Sequence, residues 1–373
     1  MNPLKLNPKR ILFIATRQIG DVLVTTPLIC RARELWPKAQ FDFLGYRGKL
    51  DMLKGNPDLH ELIETSAHPR LREYFGLFKR LFLRYDLAII TQPSDRAYIF
   101  GLIASKHRVG VLSPEIAQMK RQSRWKKSIC LHSVTINYFA QHVVVEKLRL
   151  LDVFYSNNQP SLSNNAIHVV PPVAEELNPS LRSQLKAPYV VLHITPLTQY
   201  KRWPLTHWKV VIIWLVEQGW HVVLSVSSAK QDLDYNHELM SLLDKETLPK
   251  VLNTQGQLSI TQAVTLLQAA ELYIGIDTSI THLAAACGTK TFALFGPTPP
   301  TNFGPWPNGF SGSQPYQLKK NRQTVNNVTI IQGVGHCVPC RKAGCEDSAE
   351  ISRSECLDLL NPLDVIMAIK ETF

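Results

Sequence analysis

The polar residues with the clearest chemical pattern follow a short apolar run at 272–276. Asp277, Thr278 and Ser279 come directly after that run, and each can accept a hydrogen bond from the N–H groups that open a helix. His282 lies one helical turn beyond Thr278, so its ring shares a helix face with that hydroxyl. Asp277 and Thr278 could simply cap the helix. An Asp, two hydroxyls and a His on one strand end exceed what capping requires, which favours a bound ligand, and an opening helix turn favours a phosphate.

These groups need a β-turn-α-β unit to hold them in place. The apolar run at 272–276 predicts a strand that is covered on both faces, and residues 283–286 have strong helix propensity. Gly288 lies where such a helix would end, and residues 292–295 predict the next strand. Because open α/β sheets bind ligands at the carboxyl ends of their parallel strands, we predict a binding site at this turn.

A second candidate is Asp21, which lies between a predicted strand at 10–15 and a predicted helix at 22–35. Gly20 stands alone there, so the G-x-G-x-x-G fingerprint of dinucleotide-binding folds is absent from the sequence. The carboxylate of Asp21 could stabilise the positive end of the helix dipole, or it could take a proton from a hydroxyl as a general base. Its position in the sequence leaves both interpretations open.

The length of 373 residues suits two domains, and alternating strand and helix patterns predict an α/β fold with parallel sheets. Residues 155–187 are rich in Asn, Pro and Ser, which favours a linker. We place the domains at 1–175 and 176–373, and the last helix could pack back on the first domain. No apolar run approaches the ~18–20 residues of a membrane span, and the run at 11–15 is too short for a signal peptide, so we expect a cytoplasmic protein.

Positive charge dominates the sequence. Lys and Arg number 41 against 30 Asp and Glu, a net charge of +11, which favours anionic partners. Five basic residues and no acidic one occur at 120–127, namely Lys120, Arg121, Arg124, Lys126 and Lys127. We interpret this stretch as a mobile loop that contacts an anionic lipid or a phosphorylated saccharide. Few aromatic residues accompany the basic ones, so a nucleic-acid partner is not expected.

An amphipathic helix is predicted between residues 66 and 85. Six apolar residues fall on one helical stripe: Leu71, Tyr74, Phe75, Phe78, Leu81 and Phe82. Five basic residues surround the stripe: Arg70, Arg72, Lys79, Arg80 and Arg84. This pattern is typical of a helix packed on a core with a solvated basic face, and the alternative is a helix that touches an anionic membrane surface.

The cysteines fall into two groups. Cys30, Cys130 and Cys287 are scattered, and we expect them to be small core residues in a reducing compartment. Four others occur within a short segment beside His336: Cys337, Cys340, Cys345 and Cys356. They could hold a structural zinc, but the irregular spacing after the first two favours no metal.

Four motifs occur in order along the chain. They are I-G-D-V-L-V-T-T-P-L from Ile19, K-R-W-P-L-T-H-W from Lys201, D-T-S-I-T-H-L-A-A-A from Asp277 and F-G-P-T-P-P from Phe295. Together they resemble glycosyltransferase family 9, the lipopolysaccharide heptosyltransferases, over most of the chain. The resemblance implies two Rossmann-like domains facing a cleft, the GT-B arrangement, with the nucleotide sugar mainly on the second domain and the acceptor on the first.

The resemblance also implies roles for residues. Asp21 would be the base that accepts the proton of the acceptor hydroxyl. The donor would be bound by Lys201, Asp277, Thr278, Ser279 and His282, together with Thr195 and Thr198 after the strand at 189–194. Positive charge is needed for the departing diphosphate, and Lys201 and the helix that opens at Thr278 can supply it. No D-x-D pair is evident, so neither a metal nor another cofactor is expected.

The expected function is therefore inverting transfer of heptose from ADP-heptose to the inner core of lipopolysaccharide, by a peripheral protein at the inner face of the inner membrane. One departure concerns the nucleotide. Family members often have a Gly-Gly-rich turn and a Glu for the ribose after the strand that here ends at Ser225, whereas this chain has V-S-S-A-K-Q at 226–231. The alternatives are a transferase that uses another nucleotide sugar, a nucleotide-sugar epimerase of the same shape, and a non-catalytic binder.

Overall fold

A computed structural model of the chain describes residues 4–114, 120–155, 166–347 and 353–373. The chain divides into two compact units, Met1–Pro172 with Ser311–Gln314 and Val173–Phe310 with Pro315–Phe373. Each unit is built around its own sheet, and both sheets are flanked by helices. Within the described ranges, no helix is long and apolar enough to span a membrane.

The sheet of the first unit is entirely parallel, with the strand order β3-β2-β1-β4-β5-β6. Its strands are β1 Arg10–Ala15, β2 Gln40–Tyr46, β3 Glu61–Thr65, β4 Leu87–Ile90, β5 Arg108–Leu112 and β6 His132–Thr135. Its helices are α1 Ile19–Leu23, α2 Thr26–Leu35, α3 Leu71–Leu81, α4 Asp95–Ala104, α5 Lys120–Ser128 and α6 Val143–Leu148, with 3-10 turns at Leu50–Leu53 and Arg149–Phe154. The central strands β1 and β4 are apolar runs buried on both faces, as a parallel sheet covered by helices requires.

The sheet of the second unit has the order β12-β13-β11-β10-β7-β8-β9, in which only β12 runs antiparallel to its neighbour. Its strands are β7 Tyr189–His193, β8 His221–Leu224, β9 Val251–Asn253, β10 Leu272–Ile276, β11 Thr291–Phe295, β12 Arg322–Val325 and β13 Val328–Gln332. Its helices are α7 Pro179–Gln184, α8 Leu205–Glu217, α9 Lys230–Leu242, α10 Ile260–Gln268, α11 Ser279–Ala286, α12 Pro300–Phe303, α13 Glu355–Asp358 and α14 Pro362–Lys370, with 3-10 turns at Gln199–Lys201 and Leu248–Lys250. The last helix, α14, packs against α8 of its own unit.

The strands predicted at 10–15 and 272–276 are confirmed, but the helix predicted at 22–35 is wrong in its start and its continuity. The chain enters α1 at Ile19, and a break at Val24 and Thr25 separates α1 from α2. Pro27 is the second residue of α2 and has no N–H with which to continue the hydrogen bonds of α1 across that break. Asp21 therefore lies in the first turn of α1 and not in a loop before a helix.

The basic stretch at 120–127 is also different from its prediction, because all of it lies in the helix α5 and not in a loop. Trp125 packs edge-on against Tyr98, with the ring centroids 5.8 Å apart, and this contact holds one face of α5 against the unit. Lys126 is buried, donates to the carbonyl oxygen of Pro93 at 2.6 Å and pairs with Asp95 at 2.7 Å. Lys126 is thus unavailable to an external surface.

The other basic residues of this stretch divide into two groups. Arg124 and Lys127 are exposed on α5. The side chains of Lys120 and Arg121 lie outside what the structure describes.

The apolar stripe predicted to pack on the core is mostly in contact with solvent. Of its six residues only Leu81 is buried, and Leu77 is the other buried residue of α3. The remaining five are exposed: Leu71, Tyr74, Phe75, Phe78 and Phe82. The helix itself is confirmed, but the expectation of an ordinary packed face is wrong, because α3 contacts the unit along a narrow line that the two leucines occupy.

Candidate active site

The second unit brings two of the four motifs together at the carboxyl edge of its sheet. Strands β7 and β10 are parallel neighbours, so the segments that follow them lie side by side. Lys201 Nζ after β7 and Asp277 Oδ2 after β10 form an ion pair at 2.5 Å. The carboxyl side chain is 5 % exposed and the lysine side chain 23 % exposed. The partly exposed ammonium of Lys201 is thus paired with the buried carboxylate of Asp277.

Asp277 is held ionised by its partners. Burial by itself raises the pKa of this carboxyl, but the Lys201 ammonium outweighs burial by its charge and its hydrogen bond, and the pKa lies below the ordinary value. The hydroxyl of Thr298 adds a hydrogen bond to the same carboxylate. Thr298 belongs to the segment after β11, so a third strand end contributes to the site. Its signal in the sequence is the F-G-P-T-P-P motif, but the residue itself was missed.

The start of α11 does not have the side-chain caps that the sequence allowed. Thr278 is the N-cap residue, yet its side chain makes no capping hydrogen bond. Its hydroxyl lies 3.2 Å from that of Thr281, which in turn lies 2.9 Å from the hydroxyl of Tyr273 and also bonds the carbonyl oxygen of Ile276. Because Asp277 faces Lys201, the first N–H groups of α11 are left for another acceptor. The interpretation of Asp277 and Thr278 as simple caps is therefore wrong.

His282 is the most unusual group of the site. It is 2 % exposed, and its ring packs edge-on against Phe303 with the centroids 5.0 Å apart. Neither ring nitrogen has a hydrogen-bond partner among the residues that the structure describes. Burial lowers the pKa of His282 to about 4; Asp277 opposes this shift and Lys201 adds to it. A neutral imidazole thus offers a donor and an acceptor to a ligand, and leaving them unpaired costs free energy.

Lys201 is positioned by the tryptophan of its own motif. Trp203 is fully buried, packs edge-on against Trp208 at 4.8 Å and donates its indole N–H to the carbonyl oxygen of Leu360 at 3.0 Å. Ser354 donates to the carbonyl oxygen of Tyr200 at 2.6 Å, just before the lysine. Two contacts to the C-terminal segment therefore hold the loop that carries Lys201.

The remaining predicted donor residues lie at the same two strand ends. Thr195 is buried after β7, and its hydroxyl has no partner within the described ranges. Thr198 is half-buried and precedes the 3-10 turn that ends at Lys201. Ser279 is half-buried at the first position of α11. The structure thus brings the predicted donor residues to one edge of one sheet.

The first unit presents Asp21 at the carboxyl end of β1, half-buried in the first turn of α1. A buried lysine that sequence analysis missed lies against it. Lys147 Nζ donates to the carbonyl oxygen of Asp21 at 2.6 Å and to the hydroxyl of Thr25 at 2.7 Å, and that hydroxyl donates to the same carbonyl oxygen at 2.8 Å. Burial lowers the pKa of Lys147 to about 8, against the charges of Asp21 and Glu146. A cation is thus buried beside the candidate base.

The cysteine segment was the candidate for a structural zinc site, and residues 337–347 and 353–356 of it are described. Within the described part of the chain, no group of three or more His, Cys, Asp or Glu side chains is placed to hold a metal ion. Cys356 is buried, and burial, with the nearby thiols of Cys340, Cys345 and Cys337, raises its pKa to about 12. Burial is the main cause that raises the pKa of Cys30 and Cys287 to about 12 and that of Cys130 to about 11, and all three thiols are half-buried.

Comparison with known proteins identifies the family. The model of glycosyltransferase family 9 (heptosyltransferase) matches residues 75–329. Lipopolysaccharide heptosyltransferase 3 of Escherichia coli is 27 % identical over 301 residues, which cover 78 % of this chain and 84 % of that protein.

Solved structures share the fold. The ADP-heptose lipopolysaccharide heptosyltransferase II of E. coli superimposes with a TM-score of 0.70 at 18 % identity over 97 % of this chain and 98 % of that one. An E. coli heptosyltransferase with ADP gives 0.67 at 19 % identity over 98 % and 100 %. The predicted α/β fold with two Rossmann-like units of GT-B type is confirmed. Because the family model matches residues 75–329, more than half of the chain, this protein belongs to glycosyltransferase family 9, the heptosyltransferase family, and is a glycosyltransferase.

Proposed function

We propose that this protein transfers heptose, with inversion, from ADP-heptose to the inner core of lipopolysaccharide. The observation that carries the proposal is the arrangement at the start of α11. There the Lys201–Asp277 ion pair, the uncapped N–H groups and the unpaired His282 ring form a site for an anion that also bears hydroxyl groups. A sugar diphosphate has both features. Membership of family 9 sets aside the epimerase alternative.

In this proposal the second unit binds the donor. Lys201 and the N–H groups that open α11 stabilise the diphosphate as its negative charge grows on leaving. His282, Thr195, Thr198 and Ser279 contact the donor by hydrogen bonds. Stabilisation of the leaving group thus comes from the protein's own charges, and no metal is needed for the step.

Asp21 is the proposed general base. It takes the proton of the acceptor hydroxyl while that oxygen attacks the anomeric carbon and the bond from that carbon to the diphosphate breaks. Attack from the face opposite the leaving group inverts the anomeric configuration. General base catalysis typically contributes about 10²–10⁴-fold to a rate.

Support for the substrates comes from the relatives. The relatives are named as lipopolysaccharide and lipooligosaccharide heptosyltransferases, and one solved relative holds ADP and another ADP-2-deoxy-2-fluoro heptose. An acceptor anchored in a membrane would keep the enzyme at the cytoplasmic face of the inner membrane as a peripheral protein, where its net charge of +11 suits anionic lipids.

The departure at 226–231 has a candidate replacement for the ribose contact. Asp232 lies in the first turn of α9 after β8, and the hydroxyl of Ser227 donates to its Oδ2 at 2.5 Å. Its charge also acts on His193 at the end of β7. We propose that Asp232 accepts the ribose hydroxyls that a Glu binds in other family members.

Release of ADP from ADP-heptose tests the function. We expect release only when a lipopolysaccharide core acceptor is present, and thermal stabilisation by ADP above that by UDP or GDP. Asp21→Asn should keep the fold and the donor affinity, while turnover falls by about 10²–10⁴-fold. Asp51→Asn is the matched control, since Asp51 is an exposed first-turn acid of another helical turn in the same unit. Full turnover of Asp21→Asn, or ADP release without acceptor, would refute the proposal.

A further inference from the structure

Helix α3 exposes an apolar stripe that the enzyme reaction does not explain. Phe75 is 61 % and Leu71 88 % exposed, and the stripe continues through Tyr74, Phe78, Phe82 and Leu83, each at least 40 % exposed. The rings of Phe78 and Phe82 stack with centroids 4.9 Å apart. Helical spacing places Leu71, Tyr74 and Phe75 on the same face of α3 as Phe78. We call these six residues the α3 surface. Contiguous exposed apolar surface of this kind marks an interaction site.

Cations border the α3 surface on both sides. Residues 70–84 contain five basic residues and one acidic residue, a net charge of +4. Lys79 lies over the ring of Phe75 at 4.5 Å, with its charge at the margin of the stripe. Part of this charge is already paired, since Arg80 contacts Glu61, but that pair is itself exposed. Aromatic rings between long cationic side chains suit the boundary between lipid tails and headgroups.

An open recess continues the basic margin at the amino end of α3. Its volume is about 670 Å³, and three arginines and one acid are among the residues that line it: Arg47, Arg70, Arg72 and Glu73. Arg47 is 68 % exposed and lies 3.8 Å from Glu64 and 3.9 Å from Glu73, so its charge is only partly compensated. A recess of this size and charge accommodates an anionic headgroup beside the apolar stripe.

We propose that the α3 surface docks on an anionic lipid bilayer, with the apolar stripe inserted below the headgroups and the basic residues paired with lipid phosphates. The charge favours this occupant over a second copy of the chain, because pairing two copies through this surface would bring like charges together. The inference deepens the proposed function, since a bilayer-anchored acceptor needs an enzyme at the membrane surface. The proposed function explains why the protein would bind a membrane, but the argument that the α3 surface binds one does not depend on that function.

Docking also changes which residues are expected to contact the membrane. Within the stretch at 120–127, Lys126 cannot contact a membrane, because its ammonium is buried against Pro93 and Asp95. The α3 surface combines charge with apolar area, whereas the exposed groups described on α5 supply charge alone. Binding through the α3 surface should therefore have a component that high salt does not abolish.

The test is co-sedimentation of the full chain with vesicles of phosphatidylcholine containing about a third phosphatidylglycerol, without donor or acceptor. The double variant Leu71→Ser, Phe75→Ser should lower the partition coefficient by at least about tenfold, because two inserted side chains are lost. Its matched control is Leu363→Ser, Met367→Ser, which removes two apolar residues four positions apart on α14, each more than half exposed. The control should bind as the wild type does.

A second variant isolates the charge. Replacing Arg72 and Lys79 with Gln should weaken binding to anionic vesicles by about fivefold for each cation and leave binding to pure phosphatidylcholine unchanged. Inorganic phosphate at the concentration of the lipid phosphate should not compete. Wild-type sedimentation no different from that without vesicles, or equal binding by the Leu71→Ser, Phe75→Ser variant, overturns the proposal. So does a change of oligomeric state in that variant without a change in vesicle binding. None of these readouts needs heptosyl transfer, so failure of the proposed function would leave them interpretable.

Discussion

Replacing Lys147 with Met removes the charge buried beside Asp21 and keeps an unbranched side chain of similar length. Lys147 is 2 % exposed, and burial lowers its pKa from 10.5 to about 8, although Asp21 and Glu146 act in the opposite direction. The folded chain therefore releases this proton near pH 8, whereas the unfolded chain releases it near pH 10.5. Between these values the unfolded state binds more protons, so this lysine makes the free energy of unfolding rise with pH.

The size of the effect follows from the two pKa values. The cost of burying the ammonium is fully present below about pH 8 and is relieved as the amine becomes neutral towards pH 10.5. At about 1.4 kcal/mol for each pKa unit, the relief amounts to about 3 kcal/mol. The Met variant has no such group. The wild type should therefore gain about 3 kcal/mol of stability over the variant as the pH rises through this window.

Urea unfolding from pH 7 to 10.5, followed by tryptophan fluorescence, measures the difference between wild type and Lys147→Met at each pH. Other groups titrate in this range but cancel in the difference. The exposed Lys106→Met is the matched control and should give a constant difference, because that ammonium contacts water in both states. If the difference in the free energy of unfolding between wild type and Lys147→Met stays constant over this pH range, the reasoning is refuted.

The same variant addresses catalysis. If Asp21 is the base, loss of the neighbouring cation makes its carboxylate easier to protonate, and the acid limb of the kcat/KM profile should move to higher pH by about one unit. Lys147→Arg keeps the charge and should restore the limb. A role confined to packing would leave the limb in place in both variants.

Three further outcomes are expected. Lys201→Ala should raise the donor KM more than it lowers kcat, because the cation acts on the diphosphate before and during transfer. Lys201→Arg should recover part of the affinity, and an unchanged KM in Lys201→Ala would count against donor binding by this lysine. Tyr273→Phe should lower the free energy of unfolding by about 1 kcal/mol and weaken donor affinity, because the Tyr273 hydroxyl contacts that of Thr281 in α11. Scanning calorimetry measures the first effect and titration with ADP the second. Replacing Arg124 and Lys127 with Gln should reduce binding to anionic vesicles at low salt only. If this variant and the wild type bind equally at every salt concentration, α5 does not contact the membrane.

Local sequence patterns determined much of the unit that carries Asp277, Thr278 and Ser279. The strand Leu272–Ile276, the helix Ser279–Ala286 and the strand Thr291–Phe295 lie close to their predicted positions. A buried parallel strand needs a continuous apolar run, and a helix stop needs a residue that tolerates positive φ, as Gly288 does at 79°. Those requirements act over a few residues, so they can be read in order along the chain.

Contacts between distant residues could not be obtained in that way. Lys147 is 126 residues from Asp21, and only the packing of α6 against α2 brings its ammonium to the first turn of α1. Thr298 reaches Asp277 because β11 pairs with β10. Nothing in the local sequence of either residue indicates its partner, since the pairing depends on strand order.

Burial was likewise decided by the tertiary structure. The apolar stripe of α3 has the spacing of a packed helix, yet it is largely exposed. Lys126 lies in a basic stretch with the composition of a solvated loop, yet its side chain is buried. Helical spacing determines which residues share a face, but not whether another element covers that face. The sequence by itself therefore determined the strands and helix around Asp277, the family motifs and the positive charge. The tertiary structure decided which of those charges and apolar groups face solvent and which face one another, because burial depends on elements that are remote in the chain.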